Sequence, residues 1–302
     1  MSALWIAGAT QGVLAGVTDR SHEPLYTEGV LARWVVGQRP EVVLRYRSPA
    51  HVTGGLPVGH ALKGLSRDGD RWLLCTEREL VWVDDGGAVV ERLDHRWFND
   101  LHHGLRHQGR LFVAVTGLDG VLEPGVGWHG PSTEDRDWRC VDRRPHAVHP
   151  NHLFAWDGRL WVTQFHAGMA AEVGGSERLD VGSPRIHDGL VVDDQVWFTR
   201  VDGVLIGLGQ GRREVVEVPG GRPLGWCRGL ARWQDGWAVG FTRLRTTRWR
   251  HNLAWLKGTL RGDVRVGACP TRVVLIDRRG RARAQELEDL GIDAVFAIEP
   301  GP

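Results

Sequence analysis

Imidazoles recur at one kind of place in this chain. "GHALKGL" (59–65), "DLHHGL" (100–105), "VHPNHLF" (148–154) and "RIHDGL" (185–190) each carry one or two histidines just ahead of a short Gly-Leu or Leu-Phe step, and "GWCRGL" (225–230) carries a cysteine there. Histidine titrates near neutrality, so such a set suits general acid/base work. Imidazole nitrogens also suit transition metals, and three or four around one ion with an open position make a catalytic centre. Counting back from each step gives matched positions. Two before it are Leu62, His102, Asn151, His187 and Cys227; one before it are Lys63, His103, His152, Asp188 and Arg228. Four before it are His60, Asp100, His149, Arg185 and Gly225.

Side chains alternate along a strand, so the second and fourth positions share a face. If that face looks onto a common axis, His60, His102, His149, His187 and Cys227 converge, with Asp100, Asn151 and Arg185 beside them. The expected metal ligands are therefore His102, His149, His152, His187 and His60, holding a divalent transition metal such as Fe, Zn, Mn or Cu. The expected catalytic groups are His103, Arg185, Asp188, Cys227 and Arg228. The two arginines would orient an anionic or carbonyl-bearing substrate, since guanidinium pairs well with carboxylate. Arg228 beside Cys227 favours a thiolate, although a small buried hydrophobe or a ligand is the plainer role for this cysteine. Glu77, Asp119, His166 and Asp202 lie in loops that would reach the same rim. A structural account competes with all of this, because repeats of this kind also use His or Asp to hydrogen-bond one repeat to the next.

The elements that must carry these residues form a repeat. Leu65 and Trp72, Leu105 and Phe112, Phe154 and Trp161, Leu190 and Trp197, and Leu230 and Trp237 are each seven residues apart. Turn sequences such as "RDGD", "HQG", "WDG", "DDQ" and "QDG" separate the members of each pair. That is strand, tight turn, strand. The steps are spaced by the length of a four-stranded propeller blade. The tryptophans at the second strand read as packing between sheets. Trp226, next to Cys227, is the exception and is placed to pack on a ligand.

"ALWIAGATQGVLAGV" reads as two strands lacking a leader, and "GIDAVFAIEP" is a lone closing strand. If that last strand becomes the innermost strand of the first blade, the fold is an all-β, six-bladed propeller, with five or seven blades as alternatives. The blades would span about 1–55 with 291–302, then 56–97, 98–146, 147–182, 183–222 and 223–290, in one domain. "PGVGWHGPSTEDRDWRC" and "TTRWRHNLAWLKGTLRGDVRVGACP" read as inserted loops, and "RARAQELEDLG" as an outer strand and loop.

Composition narrows the partners. Net charge is +1, from 38 basic and 37 acidic residues, so no basic excess argues for nucleic acid. No stretch nears the ~18 apolar residues of a membrane span, and the start lacks the basic leader of a signal peptide. Four scattered cysteines with no CxxC suit a reduced compartment. The expectation is a cytoplasmic protein acting on a small molecule, with no membrane or nucleic-acid partner. No Walker loop, strand-to-helix GxGxxG or GxSxG elbow is present, so no nucleotide cofactor is expected.

The blades "RIHDGLVVDDQVWFTRVDG", "WDGRLWV" and "WCRGLARWQDGWAVGFTRLR", with "RVVLIDRRGRA" and "IDAVFAIEPG", resemble an uncharacterised bacterial family of propellers with RGLAF-like and GRLWV-like repeats. Beyond it lies the broad group of six-bladed lactonases and gluconolactonases. The resemblance covers residues from about 60 onward and implies the fold more than an activity. The lactonases hold calcium with a carboxylate and amides, whereas this chain has "HPNHL" and "NDLHHGL", rich in imidazole. The function that follows is a metal-dependent, small-molecule enzyme of hydrolase, lyase or isomerase type in a biosynthetic pathway, with redox chemistry open. A non-catalytic module binding a protein or glycan is the alternative.

Overall fold

The computed structural model describes residues 3–12, 26–53, 56, 59–141, 147–209, 211–219, 225–243 and 269–302. These residues form six four-stranded antiparallel sheets, the blades of a propeller. Blade 2 contains β4 (Gly64–Asp68), β5 (Arg71–Cys75), β6 (Glu79–Val83) and β7 (Val89–Asp94). Blade 3 contains β8 (Leu101–His107), β9 (Arg110–Val115), β10 (Gly120–Glu123) and β11 (Gly127–His129). Blade 4 contains β12 (Pro150–Trp156), β13 (Arg159–Gln164), β14 (Met169–Glu172) and β15 (Arg178–Asp180). Blade 5 contains β16 (Ile186–Val192), β17 (Gln195–Arg200), β18 (Val204–Gly209) and β19 (Arg212–Glu217). Blade 6 contains β20 (Trp226–Trp233), β21 (Gly236–Thr242), β22 (Arg272–Ile276) and β23 (Ala282–Glu286).

Blade 1 joins the two ends of the chain. Its order is β24 (Ala294–Pro300), β1 (Ala3–Gln11), β2 (Tyr26–Val35) and β3 (Glu41–Tyr46). The C-terminal strand is innermost, as the lone "GIDAVFAIEP" requires. Inner strands touch in the order β4, β8, β12, β16, β20, β24 and back to β4, so the ring has no open edge at its centre.

Two readings are corrected. "ALWIAGATQGVLAGV" supplies one strand, ending at Gln11, and its last five residues lie outside the described ones. The supposed loop "PGVGWHGPSTEDRDWRC" contains β11, the short fourth strand of blade 3. The other supposed loop, 246–270, lies outside the described residues except for its last two.

The seven-residue pairing has a direct cause. Leu105 faces Phe112, Phe154 faces Trp161 and Leu190 faces Trp197 across their hairpins, whereas Leu65 faces Leu74 and Leu230 faces Val239, so two of the five pairs are not cross-strand partners. Trp72, Trp161, Trp197 and Trp237 are all buried. Trp5 packs on Trp72 with ring centroids 4.8 Å apart, and Trp197 packs on Trp237 at 4.6 Å, each joining neighbouring blades. Burial of a side chain of this size dominates such an interface.

The glycine of the step is explained by the approach of the next blade. A Cβ on Gly64 would press on the His102 carbonyl oxygen and lie 2.9 Å from the His103 Cα. Both of those are backbone atoms of β8 and cannot swing aside. Gly64→Ala is therefore expected to destabilise the fold by about 1–3 kcal/mol, read as a lower denaturant midpoint; an unchanged midpoint would show that the inner strands are not packed this closely.

Candidate functional site

The inner strands do not begin as regular β-structure. Asp100, His149 and Arg185 stand just before β8, β12 and β16 and have left-handed backbones, with φ of 54°, 54° and 68°. Gly225 holds the same place before β20, with φ 111°. Non-glycine residues adopt this conformation at a cost and cluster at functional sites. A register shift follows in each strand, between Leu101 and His103, Pro150 and Leu153, Ile186 and Gly189, and Cys227 and Leu230. Bulges re-aim side chains. Threonines fill two of the gaps: Thr163 Oγ1 accepts from the His152 N–H at 2.9 Å, and Thr199 Oγ1 from the Asp188 N–H at 3.0 Å.

The result separates the two histidines of "DLHHGL". His103 turns toward the neighbouring blades. Its Nδ1 accepts from the Leu153 N–H at 3.2 Å and its Nε2 donates to the Leu65 carbonyl at 3.3 Å. His152 repeats the arrangement one blade on, its Nδ1 accepting from the Gly189 N–H at 3.4 Å. Asp188 repeats it again, accepting from the Gly229 N–H at 3.0 Å. The residue before the step thus ties blade 3 to 4, 4 to 5 and 5 to 6. His103 and His152 also stack, with ring centroids 4.0 Å apart. Burial holds both imidazoles well below their usual range, His152 at about 4, so both are neutral at pH 7.

His102 turns the other way and meets residues of other blades. Its ring lies 5.3 Å from that of His149 and 6.1 Å from that of His187. His102 and His187 belong to blades 3 and 5, so side chains that skip blade 4 meet over the central channel. Asn151 occupies the matched position on the blade between them. It is fully buried, and neither polar atom of its amide has a hydrogen-bond partner among the described residues. His149 also stands 5.4 Å from His166, at the exposed side of this group.

His187 is held in one tautomer. Its Nδ1 donates to Asp188 Oδ1 at 3.3 Å, while Nε2 is buried and has no partner among the described residues. Asp188 also accepts from the Thr199 hydroxyl. Burial alone would raise the Asp188 carboxyl, but His187, His152 and Thr199 bring it down to about 2, so it is ionised. Burial lowers His187, partly offset by Asp188. The outcome is a neutral imidazole whose free lone pair is aimed by a carboxylate, the geometry of a general base. His102 has a similar hold: its Nδ1 donates to the Asp100 carbonyl at 3.1 Å.

The remaining expected residues divide. Arg228 is part of the group, because its charge acts on both His102 and His187. Its guanidinium lies 5.4 Å from the Trp226 ring and 5.0 Å from the Phe296 ring. His60 is apart, its Nδ1 accepting from the Ser48 N–H at 3.2 Å. Arg185 contributes backbone bonds to Phe165 and Val201. Cys227 packs with Trp197, Leu230 and Phe241, where burial and then Asp188 push its thiol well above the usual range, so it offers no thiolate.

The loop residues play supporting roles. Lys63 is buried between Glu77, at 2.8 Å, and Asp100. Asp119 accepts from the Val148 and His149 N–H groups at 3.2 and 2.8 Å, and Asp202 pairs with Arg200.

As placed, these residues do not fit a metal cage. Among the described residues no group of three His, Cys, Asp or Glu side chains is disposed to hold an ion. Of the expected ligands, His152 spends Nδ1 on the Gly189 N–H and His60 on the Ser48 N–H. No described helix is long and apolar enough to cross a membrane.

Two participants were not legible as site residues. Glu299, on β24, is half-buried; burial and then the Asp188 charge push its carboxyl up to about 8, so it keeps its proton at neutral pH. Its signal is that it is the one charged residue of "AVFAIEP". Phe165 lies with its ring nearly parallel to that of Trp226, 15° apart in plane, at 6.3 Å.

No family model and no curated protein matches the chain in sequence. Solved structures match in fold. A protein of unknown function from Bacteroides caccae aligns over 99% of this chain and 98% of its own, with a TM-score of 0.61 and 14% identity. The fold is shared. A chain of a nidogen/laminin complex aligns over 99% and 98%, with a TM-score of 0.59 and 12% identity. A catalytically inactive variant of virginiamycin B lyase from Staphylococcus aureus, with quinupristin, aligns over 93% and 85%, with a TM-score of 0.50 and 9% identity. At these identities the likeness concerns the six-bladed architecture alone.

Proposed function

We propose that this propeller is a small-molecule enzyme working by proton transfer at the mouth of its channel, with His187 as general base. The observation that carries the reading is the pairing of a buried, unpartnered Nε2 with an Nδ1 tied to ionised Asp188. Such a base is rarely built without use, since a buried polar atom left unpaired costs about 1–3 kcal/mol. The substrate is a carbonyl compound bearing an anionic group. His187 Nε2 takes a proton from water or from a carbon next to the carbonyl. The charge that develops on the carbonyl oxygen is met by the Arg228 guanidinium, and protonated Glu299 can return a proton. Lactone hydrolysis, elimination and isomerisation all use this first step. In breadth of chemistry the protein would stand with the lactonase-like propellers, with imidazole where they use calcium.

The test is a panel of lactones, esters and α-substituted keto and hydroxy acids, followed by NMR for turnover or for exchange of a substrate proton in D2O. His187→Gln is expected to lower the rate on the responsive compound by about 100-fold or more, with the circular dichroism spectrum unchanged. Because burial lowers the His187 imidazole, the rate should rise with pH below 6.5, and it should fall again above about 8 as Glu299 loses the proton it donates. A variant as active as the parent, or a rate that falls as pH rises from 5 to 7, would remove His187 from the role of base.

A further inference from the structure

Blades 3 and 4 do not close fully on each other. In the other repeats the third strand fills the gap to the blade before it. Val81 and Val83 do so in blade 2, Leu122 in blade 3, Val204 and Ile206 in blade 5, and Val274 and Ile276 in blade 6. In blade 4 the buried side chain at this place is Ala171, which packs with Val121 and Val162. A cavity of about 340 Å³ remains beside it, bordered by exposed Gly130 and Gly175. Protein interiors are otherwise packed like organic crystals, with few voids larger than a water molecule. The volume is that of a small-molecule pocket.

Opposite charges stand at this cavity on one turn. Glu172 ends β14, Arg178 begins β15, and both line the space. The Glu172 N–H and Arg178 Nη1 donate to the same Glu177 carbonyl, at 3.1 and 2.8 Å, which holds the two residues together. Among the described residues their side chains form no ion pair with each other, and the Glu172 carboxylate has only a long contact, 3.9 Å, to Arg159 Nε. A Cβ on Gly175 would collide with that carboxylate, and one on Gly174 would lie 3.3 Å from His129 Nδ1. The turn is therefore flanked by the carboxylate on one side and by an imidazole of blade 3 on the other. Asp119, which also lines the cavity, is already taken by the Val148 and His149 N–H groups. Glu172 and Arg178 keep most of their hydrogen-bonding capacity, and Val121, Val162 and Ala171 give an apolar wall next to them.

We infer that this cavity is a second binding site, for a small α-amino acid with an aliphatic side chain. The ligand's carboxylate pairs with Arg178 and its ammonium with Glu172, while its side chain fills the space that Ala171 leaves. A simple acid or a simple amine answers only one of the two charges. None of His102, His149 and His187 lines the cavity, so the site does not depend on the proton-transfer reading.

The experiment is calorimetry of L-leucine, isocaproate and isoamylamine on the whole protein. The second compound is leucine without its ammonium, and the third is leucine without its carboxylate. NMR of the His129 ring, assigned by its loss in His129→Gln, is recorded in parallel. L-leucine is expected to bind roughly tenfold more tightly than either analogue, and to shift the His129 signals. Arg178→Gln and Glu172→Gln should each lower leucine affinity toward that of the analogues. Ala171→Leu fills the cavity and should abolish leucine binding in a protein that still unfolds cooperatively. The ligand comparison is read on the unaltered protein, so the inference can fail even if a variant does not fold. No heat from leucine at millimolar concentration would overturn the site. Equal affinity for leucine and one analogue would overturn the amino-acid assignment. Leucine binding that leaves His129 unmoved, or that survives in folded Ala171→Leu, would put the ligand elsewhere and overturn the inference. The His187→Gln turnover test is unaffected by any of these results.

Discussion

Asp188→Ala is expected to lower the stability of the protein by about 3 kcal/mol and its Tm by roughly 6–12 °C. The buried Asp188 carboxylate accepts from the Gly229 N–H at 3.0 Å, from His187 Nδ1 at 3.3 Å and from the Thr199 hydroxyl. Alanine removes the acceptor and leaves three donors at buried residues without it. Each buried orphan costs about 1–3 kcal/mol, and loss of one partner from a buried charged network costs about 3–5 kcal/mol. The Gly229 N–H belongs to blade 6, so the change also cuts the tie between blades 5 and 6. Asp188→Asn keeps an acceptor oxygen and should recover part of the stability. It should not recover the proposed activity, because a neutral amide holds the His187 tautomer poorly. Thermal unfolding of the three proteins checks the first claim, and a midpoint for Asp188→Ala within about 1 °C of the parent would refute it.

The second large effect is a loss of stability in mild acid. His102, His103, His152 and His187 are all buried, and burial lowers each imidazole below its usual range. In the unfolded chain each titrates near 6.5. Above that pH both states are neutral and the full stability is present. As pH falls below about 6.5 the unfolded chain binds protons that the folded chain refuses, so stability is lost. The loss continues until the folded-state value is passed, about 4 for His152. A gap from 6.5 to about 4 corresponds to about 3 kcal/mol for His152 alone.

Carboxylates such as Asp68, which arginine contacts hold below their usual value, give up their contribution only further into acid. Glu299 acts in the opposite sense: with its carboxyl held up to about 8, folding grows less favourable as pH rises toward 8. The urea midpoint should therefore pass through a maximum near pH 6.5, decline toward pH 8, and fall steadily from pH 6.5 to 4.5, where the four imidazoles outweigh the single carboxyl. A midpoint that stays level across that lower range would mean the imidazoles are not held neutral. His103→Gln should flatten the slope, since it removes one buried titrating ring.

The blade repeat was legible because its causes are local. A leucine, a turn rich in Gly and Asp, and an aromatic seven residues on specify a hairpin, and the hairpins at Leu105–Phe112, Phe154–Trp161 and Leu190–Trp197 pair as that spacing requires. The closing strand was legible for a related reason: an apolar strand with no partner in its own repeat has only the first blade to pair with. The step glycine was visible as a recurrence, but its cause, the backbone of the next blade, was not.

Alternation along the strand already puts positions two and four before each step on one face, and His102, His149 and His187 gather there while His103 and His152 bind the next blade. Tertiary structure decided what alternation does not reach: His60 stays apart on the Ser48 N–H, and Cys227 is taken into the core between blades 5 and 6. Glu299 joins them only because ring closure brings β24 beside blade 6, against Gly229. Residue type and spacing along the chain determined that histidines would gather at one rim of a six-bladed ring. Which nitrogens stay available was settled by contacts between blades, and those depend on backbone geometry that no single repeat encodes.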